Sequence, residues 1–388
     1  MRLLLLVLAL PVLWAQAGRE ERWNADLDFL LSTLRARHPN LYTRVGPEEW
    51  DRAAEALRAR IPELPDTAVA MELARLTALA GDGHTFVNLR TSPLFTSLPL
   101  RLQWFEEGWV VTGAPADQGG LVGTVVTQLD NTAIGEAIEK LRPLVSYENE
   151  WWFRVQVLNY LISPEILANL GIQMDRARLT INGESTIPGV SAGITTGPIL
   201  SQPKFPLWAR YGSVNYWFHY LAESRTMYFK YNVCGEMSAL PAAQFRADLA
   251  AALAANPVER MIVDVRNNTG GNSAVLARLL PPVKAEVRKI VITGRQTFSS
   301  GVMAAQDLSR AGWTILGEPT GGKPAGFGEV IGFTLPNSGL RGQYSTRTFP
   351  TTVQPRNDAL LPDVVVGWTW QAASQELDPF LEAALALN

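Results

Sequence analysis

The spacing of apolar residues divides the chain into three regions of different texture. Residues 98–187 carry short alternating runs and glycines, which predict short strands, one of them at residues 123–130, and a short helix at residues 134–141. From about Asn215 onward strand-like and helix-like runs alternate, which predicts βα units and a parallel sheet with right-handed crossovers. In residues 20–79, apolar side chains recur at helical spacing and predict helices, the first of which would carry Leu27, Leu30, Leu31 and Leu34.

The last region divides further into predicted elements. A stretch rich in Gly, Ser, Thr and Pro at residues 189–206 precedes it and predicts a linker. The predicted helices are residues 245–255, 273–280 and 304–310, and the predicted strands are residues 260–265, 289–293 and 313–316.

The N-terminus follows the layout of a secretory signal peptide. Arg2 precedes an apolar run at residues 3–14, and the small residues of Ala15-Gln16-Ala17 follow, which predicts cleavage after Ala17. A retained membrane anchor is the alternative, although the run is shorter than the roughly 20 residues that span a bilayer. We therefore expect an exported protein, periplasmic or extracellular, with no stable membrane span after the signal is removed.

Composition narrows the classes of function. A net charge of −3 gives no electrostatic reason to expect nucleic acid or an anionic membrane as a partner. Cys234 is the only cysteine and the chain has 3 histidines, so we expect neither a disulfide nor a Cys/His zinc site. No cofactor is expected.

A serine pair lies where a predicted strand gives way to a predicted helix, in Thr297-Phe298-Ser299-Ser300-Gly301. A serine at a helix N-terminus is exposed and lies next to free backbone N–H groups, which can stabilise an oxyanion. The alternative is that these serines only cap the helix. The turn favours a serine hydrolase.

Glycine-rich turns follow two other predicted strands. Gly270-Gly271 allows positive φ and leaves N–H groups uncovered, which suits an oxyanion hole; an ordinary strand-to-helix turn is the alternative. Lys323 follows Gly321-Gly322 in a chain that uses few lysines, and a desolvated lysine, unlike arginine, can lose its proton near neutral pH. A solvated surface lysine is the alternative there.

His84 lies in the turn Gly81-Asp82-Gly83-His84-Thr85. Its imidazole is a candidate base or electrophile, and a structural role in a turn or cleft wall is the alternative. His38 and His219 are interpreted as structural.

Three motifs in this order resemble the tail-specific (C-terminal processing) serine peptidase family, whose clan includes the tricorn protease core and retinoid-binding repeats. They are the segments at residues 264–271, 297–301 and 317–323, with Pro362-Asp363 downstream. The resemblance implies an α+β multi-domain protein that ends in a crotonase-like ββα spiral, often preceded by a PDZ-like module. With it, we assign residues 1–17 to a signal peptide, 18–90 to an N-terminal helical domain, 91–188 to a small PDZ-like β-rich module and 189–388 to the peptidase domain.

The resemblance also implies roles for single residues. The family nucleophile falls on Ser299, or on Ser300 after a shift of one position. The base of the processing peptidases falls on Lys323, and the histidine of the tricorn-like branch falls on His84. This chain departs from that branch at Gly83, where the branch has serine, and near Pro362-Asp363, where only Gln354 and Asp358 stand in for a glutamate.

The sequence therefore predicts an exported serine endopeptidase that acts on a protein or peptide substrate. Ser299 would be the nucleophile, Lys323 a base kept neutral by burial, and His84 the alternative base. Backbone N–H groups at Gly270, Gly271 and Ser300 are the candidate oxyanion donors. The alternatives are a non-catalytic protein that binds a peptide or an apolar ligand, and an acyl-CoA-type hydrolase.

Overall fold

The structure is a computed structural model, and it describes residues 6–173, 178–183, 185–188, 206–349 and 358–387. The predicted linker at residues 189–206 lies outside the described residues except for Pro206, and Gln354 lies outside them as well. Of the predicted signal segment, only the helical backbone from Leu6 onward is described. Among the described helices, none combines the length and apolar character that crossing a membrane requires.

The N-terminal region is helical, as its apolar spacing predicts. Its elements are α1 (Leu6–Arg37), α2 (Pro47–Arg60), α3 (Asp66–Ala78) and the short strand β1 (Phe86–Asn88). Leu27, Leu30 and Leu34 are fully buried on one face of α1, because positions three or four apart in a helix share a face. His84 lies in the turn that joins α3 to β1.

The middle region mixes short strands with helices. A hairpin joins β2 (Arg101–Phe105) to β3 (Gly108–Gly113). A four-stranded sheet has the order β5-β4-β6-β7. Its strands are β4 (Gln128–Leu129), β5 (Thr132–Ala133), β6 (Arg178–Ile181) and β7 (Ser185–Pro188), and the helices are α4 (Ile134–Leu141), α5 (Glu150–Gln156), α6 (Leu158–Leu161) and α7 (Pro164–Asn169).

Two expectations for this region were wrong. The strand expected at residues 123–130 is reduced to the two residues of β4. Helices α5 to α7 occupy a stretch that we interpreted as short strands. Their helical signal is present in the sequence, because the buried residues Phe153, Val157 and Leu161 are spaced four apart.

The C-terminal region is built on a six-stranded sheet with the order β15-β12-β11-β10-β9-β8, parallel except for the β8–β9 pair. The strands are β8 (Tyr216–Leu221), β9 (Thr226–Tyr231), β10 (Arg260–Asp264), β11 (Arg288–Thr293), β12 (Thr314–Gly317) and β15 (Val364–Val365), and the helices are α8 (Ala242–Ala255), α9 (Val275–Leu279), α10 (Ser300–Arg310), α11 (Trp370–Ser374) and α12 (Pro379–Ala386). The predicted strands and helices of this region are confirmed, with ends shifted by a few residues.

The parallel sheet brings the three sequence motifs together. β10, β11 and β12 are adjacent and run in the same direction, so their carboxyl ends lie at one edge. The loops that leave this edge carry Gly270-Gly271, Ser299 and Lys323. This edge is where open α/β sheets bind ligands.

A hairpin of long strands joins the C-terminal region to the N-terminal helices. β13 (Gly326–Thr334) pairs with β14 (Arg341–Phe349), and β14 pairs with β1. The buried carboxylate of Asp26 on α1 accepts hydrogen bonds from the backbone N–H groups of Asn337 and Ser338 at the hairpin turn, both 2.8 Å. The hairpin therefore connects β1, which follows His84 in sequence, to β13, which follows Lys323.

The α+β arrangement is confirmed. The division into a PDZ-like module and a crotonase-like spiral remains a prediction, and so do the domain boundaries.

Candidate active site

Ser299 lies at the start of α10 in a backbone conformation that serine rarely adopts. Its φ is 52° and its ψ is −128°. Residues other than glycine pay a steric cost at positive φ, and such strain clusters at functional sites. In the part of the chain that the structure describes, the Ser299 hydroxyl makes no hydrogen bond, so it is available to a ligand.

Ser300 differs from Ser299 in both burial and bonding. Its side chain is buried, and its hydroxyl donates a hydrogen bond of 2.7 Å to the carbonyl oxygen of Gly271. This bond ties the helix start to the glycine loop. The geometry therefore favours Ser299 over Ser300 as the group that meets a substrate.

The glycine loop packs directly against Ser299. A Cβ added to Gly270 would lie 2.7 Å from Ser299 Cβ and 3.0 Å from the backbone nitrogen of Ser300, so only a hydrogen atom fits. The φ angles of Gly270 and Gly271 are 111° and 129°, as their sequence predicts.

The candidate oxyanion donors are not equivalent. The N–H of Gly270 donates to the side-chain oxygen of Asn268 at 2.9 Å, so the expectation that it is a free donor was wrong. Among the described residues, nothing accepts a hydrogen bond from the N–H groups of Gly271 and Ser300. These two groups remain as candidate donors, and both residues line the cavity that Ser299 lines.

His84 is buried, and two carboxylates face its ring. Its Nδ1 lies 3.3 Å from Asp82 Oδ1 and 3.5 Å from Glu148 Oε1. Burial lowers the pKa of His84, but the interactions with Asp82 and Glu148 outweigh this effect and raise it to about 9. The ring also packs on Phe298, with ring centroids 4.4 Å apart.

Asp82 is the most heavily bonded residue around His84. It is fully buried and accepts hydrogen bonds from the His84 backbone N–H, from Thr85 Oγ1 at 2.6 Å and from Ser345 Oγ at 2.7 Å. His38, which we interpreted as structural, lies 3.1 Å from Asp82 through its Nε2. Burial raises the pKa of the Asp82 carboxyl, but the interactions with His38, the His84 side chain and Thr85 outweigh burial and hold that pKa well below its usual range.

The side chains of Asp82, His84 and Glu148 are close enough to share a metal ion. The hydrogen bonds described above already use both oxygens of Asp82. We therefore interpret the group as a charge-paired cluster, in which two carboxylates face an imidazole whose Nδ1 and Nε2 make no hydrogen bond to the described residues.

Glu148 is a site residue that sequence reasoning missed. The chain offered no glutamate near Pro362-Asp363, and the carboxylate comes instead from the residues just before α5. Its Oε2 accepts a hydrogen bond of 2.9 Å from the backbone N–H of Lys323, while its Oε1 faces His84. Glu148 thus connects the two turns that carry the candidate bases.

The packing around Gly83 explains why glycine stands where the tricorn-like branch has serine. A Cβ there would lie 3.0 Å from Phe298 Cζ and 3.1 Å from Trp152 Cδ1. Trp152 stacks on Phe298 with ring centroids 3.9 Å apart and the ring planes 6° from parallel. A serine side chain before His84 would press on this aromatic stack, which would have to shift by a few tenths of an ångström.

Lys323 does not have the buried environment that we expected. Its side chain is 31% exposed, and its Nζ forms an ion pair of 3.2 Å with the exposed Asp358. The expectation of a desolvated lysine was therefore wrong, because solvent and a carboxylate both reach the amine.

Six of these residues border one cavity of about 360 Å³: Ser299, Ser300, Gly271, His84, Glu148 and Lys323. The hairpin supplies another part of the wall, through Phe327, Glu329, Arg347 and Phe349. The cavity therefore combines an unbonded serine, two free amide donors and a buried histidine, which are the components of nucleophilic acyl transfer.

Comparisons with known proteins give a result at the level of fold. No family model matches the sequence, and no curated protein matches it. The structure of mature CPAF complexed with lactacystin matches at a TM-score of 0.63 and 13% identity, over 94% of this chain and 97% of that one. Mature CPAF alone matches at 0.61 and 12% identity, over 94% and 96% of the two chains.

A chain of the photosystem II D1 C-terminal processing protease also matches, at a TM-score of 0.43 and 14% identity, over 94% of this chain and 96% of that one. What the comparisons show is the fold: over 94% of its length this chain has the fold of mature CPAF.

Proposed function

We propose that this protein is an exported serine peptidase that hydrolyses peptide bonds through an acyl-enzyme on Ser299. The observation that carries the proposal is the environment of Ser299: a positive φ, an unbonded hydroxyl and one cavity shared with His84, Gly271 and Ser300. The fold shared with CPAF and the three ordered motifs support it.

The proposed base is His84. In its neutral form the imidazole would accept the proton of Ser299 through Nε2 while Nδ1 faces the carboxylates of Asp82 and Glu148. The attacked carbonyl oxygen would become an oxyanion between the N–H groups of Gly271 and Ser300, each worth about 3 kcal/mol in the transition state. Protonated His84 would then give its proton to the leaving amine.

Asp82 and Glu148 would act through His84. Both carboxylates face Nδ1, which favours the tautomer with the proton on that nitrogen and leaves Nε2 free to accept. The same carboxylates stabilise the imidazolium that forms during the reaction. Hydrogen bonds from His38, Thr85 and Ser345 keep Asp82 in place.

The proposal is tested with Ser299→Ala and a matched control on the same helix, Ser309→Ala. We expect Ser299→Ala to lower kcat by roughly 10⁴- to 10⁶-fold with unchanged folding, because it removes the nucleophile. The control should keep wild-type turnover. Hydrolysis of an unstructured protein is the readout, with circular dichroism to verify the fold.

A covalent measurement complements the kinetics. A fluorophosphonate should add to Ser299 in the intact protein and not in Ser299→Ala, with the site located by peptide mass mapping. Full hydrolytic activity in Ser299→Ala combined with its loss in Ser300→Ala would move the nucleophile by one residue. Activity that survives both changes would refute the proposal.

A further inference from the structure

Asn268 is a fully buried asparagine in the loop that joins β10 to the glycine pair. Its carboxamide bonds in two directions. Nδ2 donates to the carbonyl oxygen of Tyr231, the last residue of β9, at 3.0 Å, and Oδ1 accepts from the backbone N–H of Gly270 at 2.9 Å. The thiol of Cys234 donates to the same Oδ1 at 3.3 Å. The Asn268 side chain therefore holds the glycine loop against the end of β9.

The backbone of Asn268 makes a separate contact with the loop that carries Ser299. Its carbonyl oxygen accepts a hydrogen bond of 2.9 Å from the N–H of Phe298, the residue before Ser299. The first turn of α10 passes so close to the same oxygen that a Cβ at Gly301 would not fit. Asn268 thus contacts both loops of the candidate site, one through its side chain and the other through its backbone.

The glycine loop is also fixed by a parallel β-bridge between Cys234 and Gly271. The Cys234 N–H donates to the carbonyl oxygen of Gly270 at 3.0 Å, and the Cys234 carbonyl oxygen accepts from the N–H of Asn272 at 2.6 Å. These two bonds use the backbone groups on either side of Gly271. The N–H of Gly271 itself makes no bond to the described residues, so its position depends on the loop that carries it.

We propose that Asn268 is a positioning residue for the oxyanion hole. The Gly271 N–H directly follows the residue that the Asn268 carboxamide holds, and the Ser300 N–H lies two residues after the one that its carbonyl holds. Asn268 thereby sets the separation of the two candidate donors. Such donors lower the barrier because they are in place before charge develops on the substrate. This role rests on the proposed peptidase function.

The chemistry of position 268 explains why asparagine is there. The side chain must donate to a carbonyl oxygen and accept from an N–H at the same time, and a carboxamide offers both groups. A carboxylate offers acceptors only and would face the carbonyl oxygen of Tyr231. A protonated carboxyl group again offers one donor and one acceptor. An aspartate at this position should therefore replace Asn268 only while it is protonated.

Two variants test the role. Asn268→Ser is uncharged and too short to make both bonds, so its kcat should fall by about 100-fold at every pH, the loss that a displacement of about 1 Å produces. Asn268→Asp should lose as much at neutral pH and recover relative to the wild type as the pH falls, because burial raises the pKa of a carboxyl group. The titratable group that bonds the Asn268 side chain is the Cys234 thiol, and burial raises the pKa of that thiol, so it stays protonated in this range.

Asn256→Asp is the matched control. Asn256 Nδ2 also donates to a carbonyl oxygen, that of Ala252 at 2.8 Å, but Asn256 follows the end of α8 and does not line the Ser299 cavity. This variant should keep the wild-type kcat at each pH. Circular dichroism and thermal melting verify folding. If Asn268→Asp is unfolded at neutral pH, the uncharged Asn268→Ser carries the test.

A pair of inhibitors separates positioning from a general loss of structure. A peptidyl trifluoromethyl ketone adds to the serine oxygen and forms a tetrahedral oxyanion while the hydroxyl proton passes to the base, whereas the corresponding alcohol binds without reacting. In Asn268→Ser the Ki of the ketone should rise by the same factor as kcat/KM falls, about 100-fold, because both depend on the oxyanion donors. The Ki of the alcohol should change by less than about threefold, because a ground-state ligand does not need those donors.

Each outcome decides the proposal. A loss confined to the ketone in Asn268→Ser, recovery of Asn268→Asp at low pH and wild-type kinetics in Asn256→Asp support it. Equal losses for ketone and alcohol would show that the whole cleft depends on Asn268 and overturn it, and so would Asn268 variants that turn over like the wild type. If the wild type hydrolyses no peptide and binds the ketone no more tightly than the alcohol, the peptidase function fails and this role fails with it.

Discussion

The turn that carries His84 and the turn that carries Lys323 present two candidate bases to one cavity, and they differ in their surroundings. His84 is buried, packs on Phe298 and faces two carboxylates that are themselves fixed. Lys323 is partly exposed, and its one carboxylate partner, Asp358, is exposed too. A general base acts best when it is held in one position, and of these two side chains His84 is the one held by packing and by buried carboxylates.

The comparison shows why the rarity of a residue type is a weak signal. Lysine is scarce in this chain, which drew attention to Lys323, but scarcity says nothing about the partners of a side chain. The structure gives Lys323 a different connection: its backbone N–H binds Glu148, which also faces His84. The backbone of the lysine turn therefore positions the Glu148 carboxylate, and that carboxylate faces His84.

Between the two turns, the largest expected effect comes from replacing the two candidate bases one at a time. His84→Ala should lower kcat by about 10²- to 10⁴-fold, the range that a general base contributes, whereas Lys323→Ala should stay within about tenfold of the wild type. Single-turnover rates on a chromogenic peptide measure both. If Lys323→Ala is the inactive variant and His84→Ala is not, the roles of the two turns are reversed.

A smaller effect is expected from replacing Glu148, which connects the His84 turn to the Lys323 turn. His84 must be neutral to accept a proton, so kcat/KM should rise with pH and level off above about 9. Glu148→Gln removes one interaction that raises the pKa of His84, so the midpoint of the profile should move to lower pH. Glu150→Gln, exposed on the adjacent helix, serves as the control and should leave the midpoint in place.

The titration of His84 also changes the free energy of unfolding, which should fall as the pH rises. Because the folded-state pKa of His84 is raised, protonated His84 contributes stability that is fully present below its unfolded pKa of about 6.5 and is lost as the pH rises through about 9. Chemical unfolding across this range measures the loss, which should shrink in Glu148→Gln. A profile that is unchanged in Glu148→Gln would contradict the assignment of Glu148 to His84.

The smallest effect is expected from the ion pair of the lysine turn. Asp358→Asn removes the carboxylate partner of Lys323, and because the pair is solvent-exposed it should change the free energy of unfolding by less than about 1 kcal/mol. Turnover should stay near the wild-type value. A loss of activity comparable with that of His84→Ala would show that Lys323 needs this pairing for catalysis.

The part of the site that follows from local pattern was predictable, and the part made by distant contacts was not. Alternating strands and helices predict the parallel sheet, and parallel strands place Gly271, Ser299 and Lys323 at one edge. Glu148 precedes a helix in a region whose helical spacing we misread, and nothing local points it at His84. The hairpin β13–β14 pairs with β1 across most of the chain, and the pattern of a single sequence carries no signal for such a pairing.

The pairing of β1 with β14 has a consequence for cutting the chain. His84 and Glu148 come from residues before the 189–206 stretch, whereas Ser299 and the hairpin wall come after it, so neither fragment alone contains a complete cavity. Two polypeptides divided in that stretch should be inert separately and regain turnover when they associate through the β1–β14 pair and the Asp26 contacts. The two fragments would therefore serve as a split reporter: peptide turnover would appear only when proteins fused to them bring the fragments together.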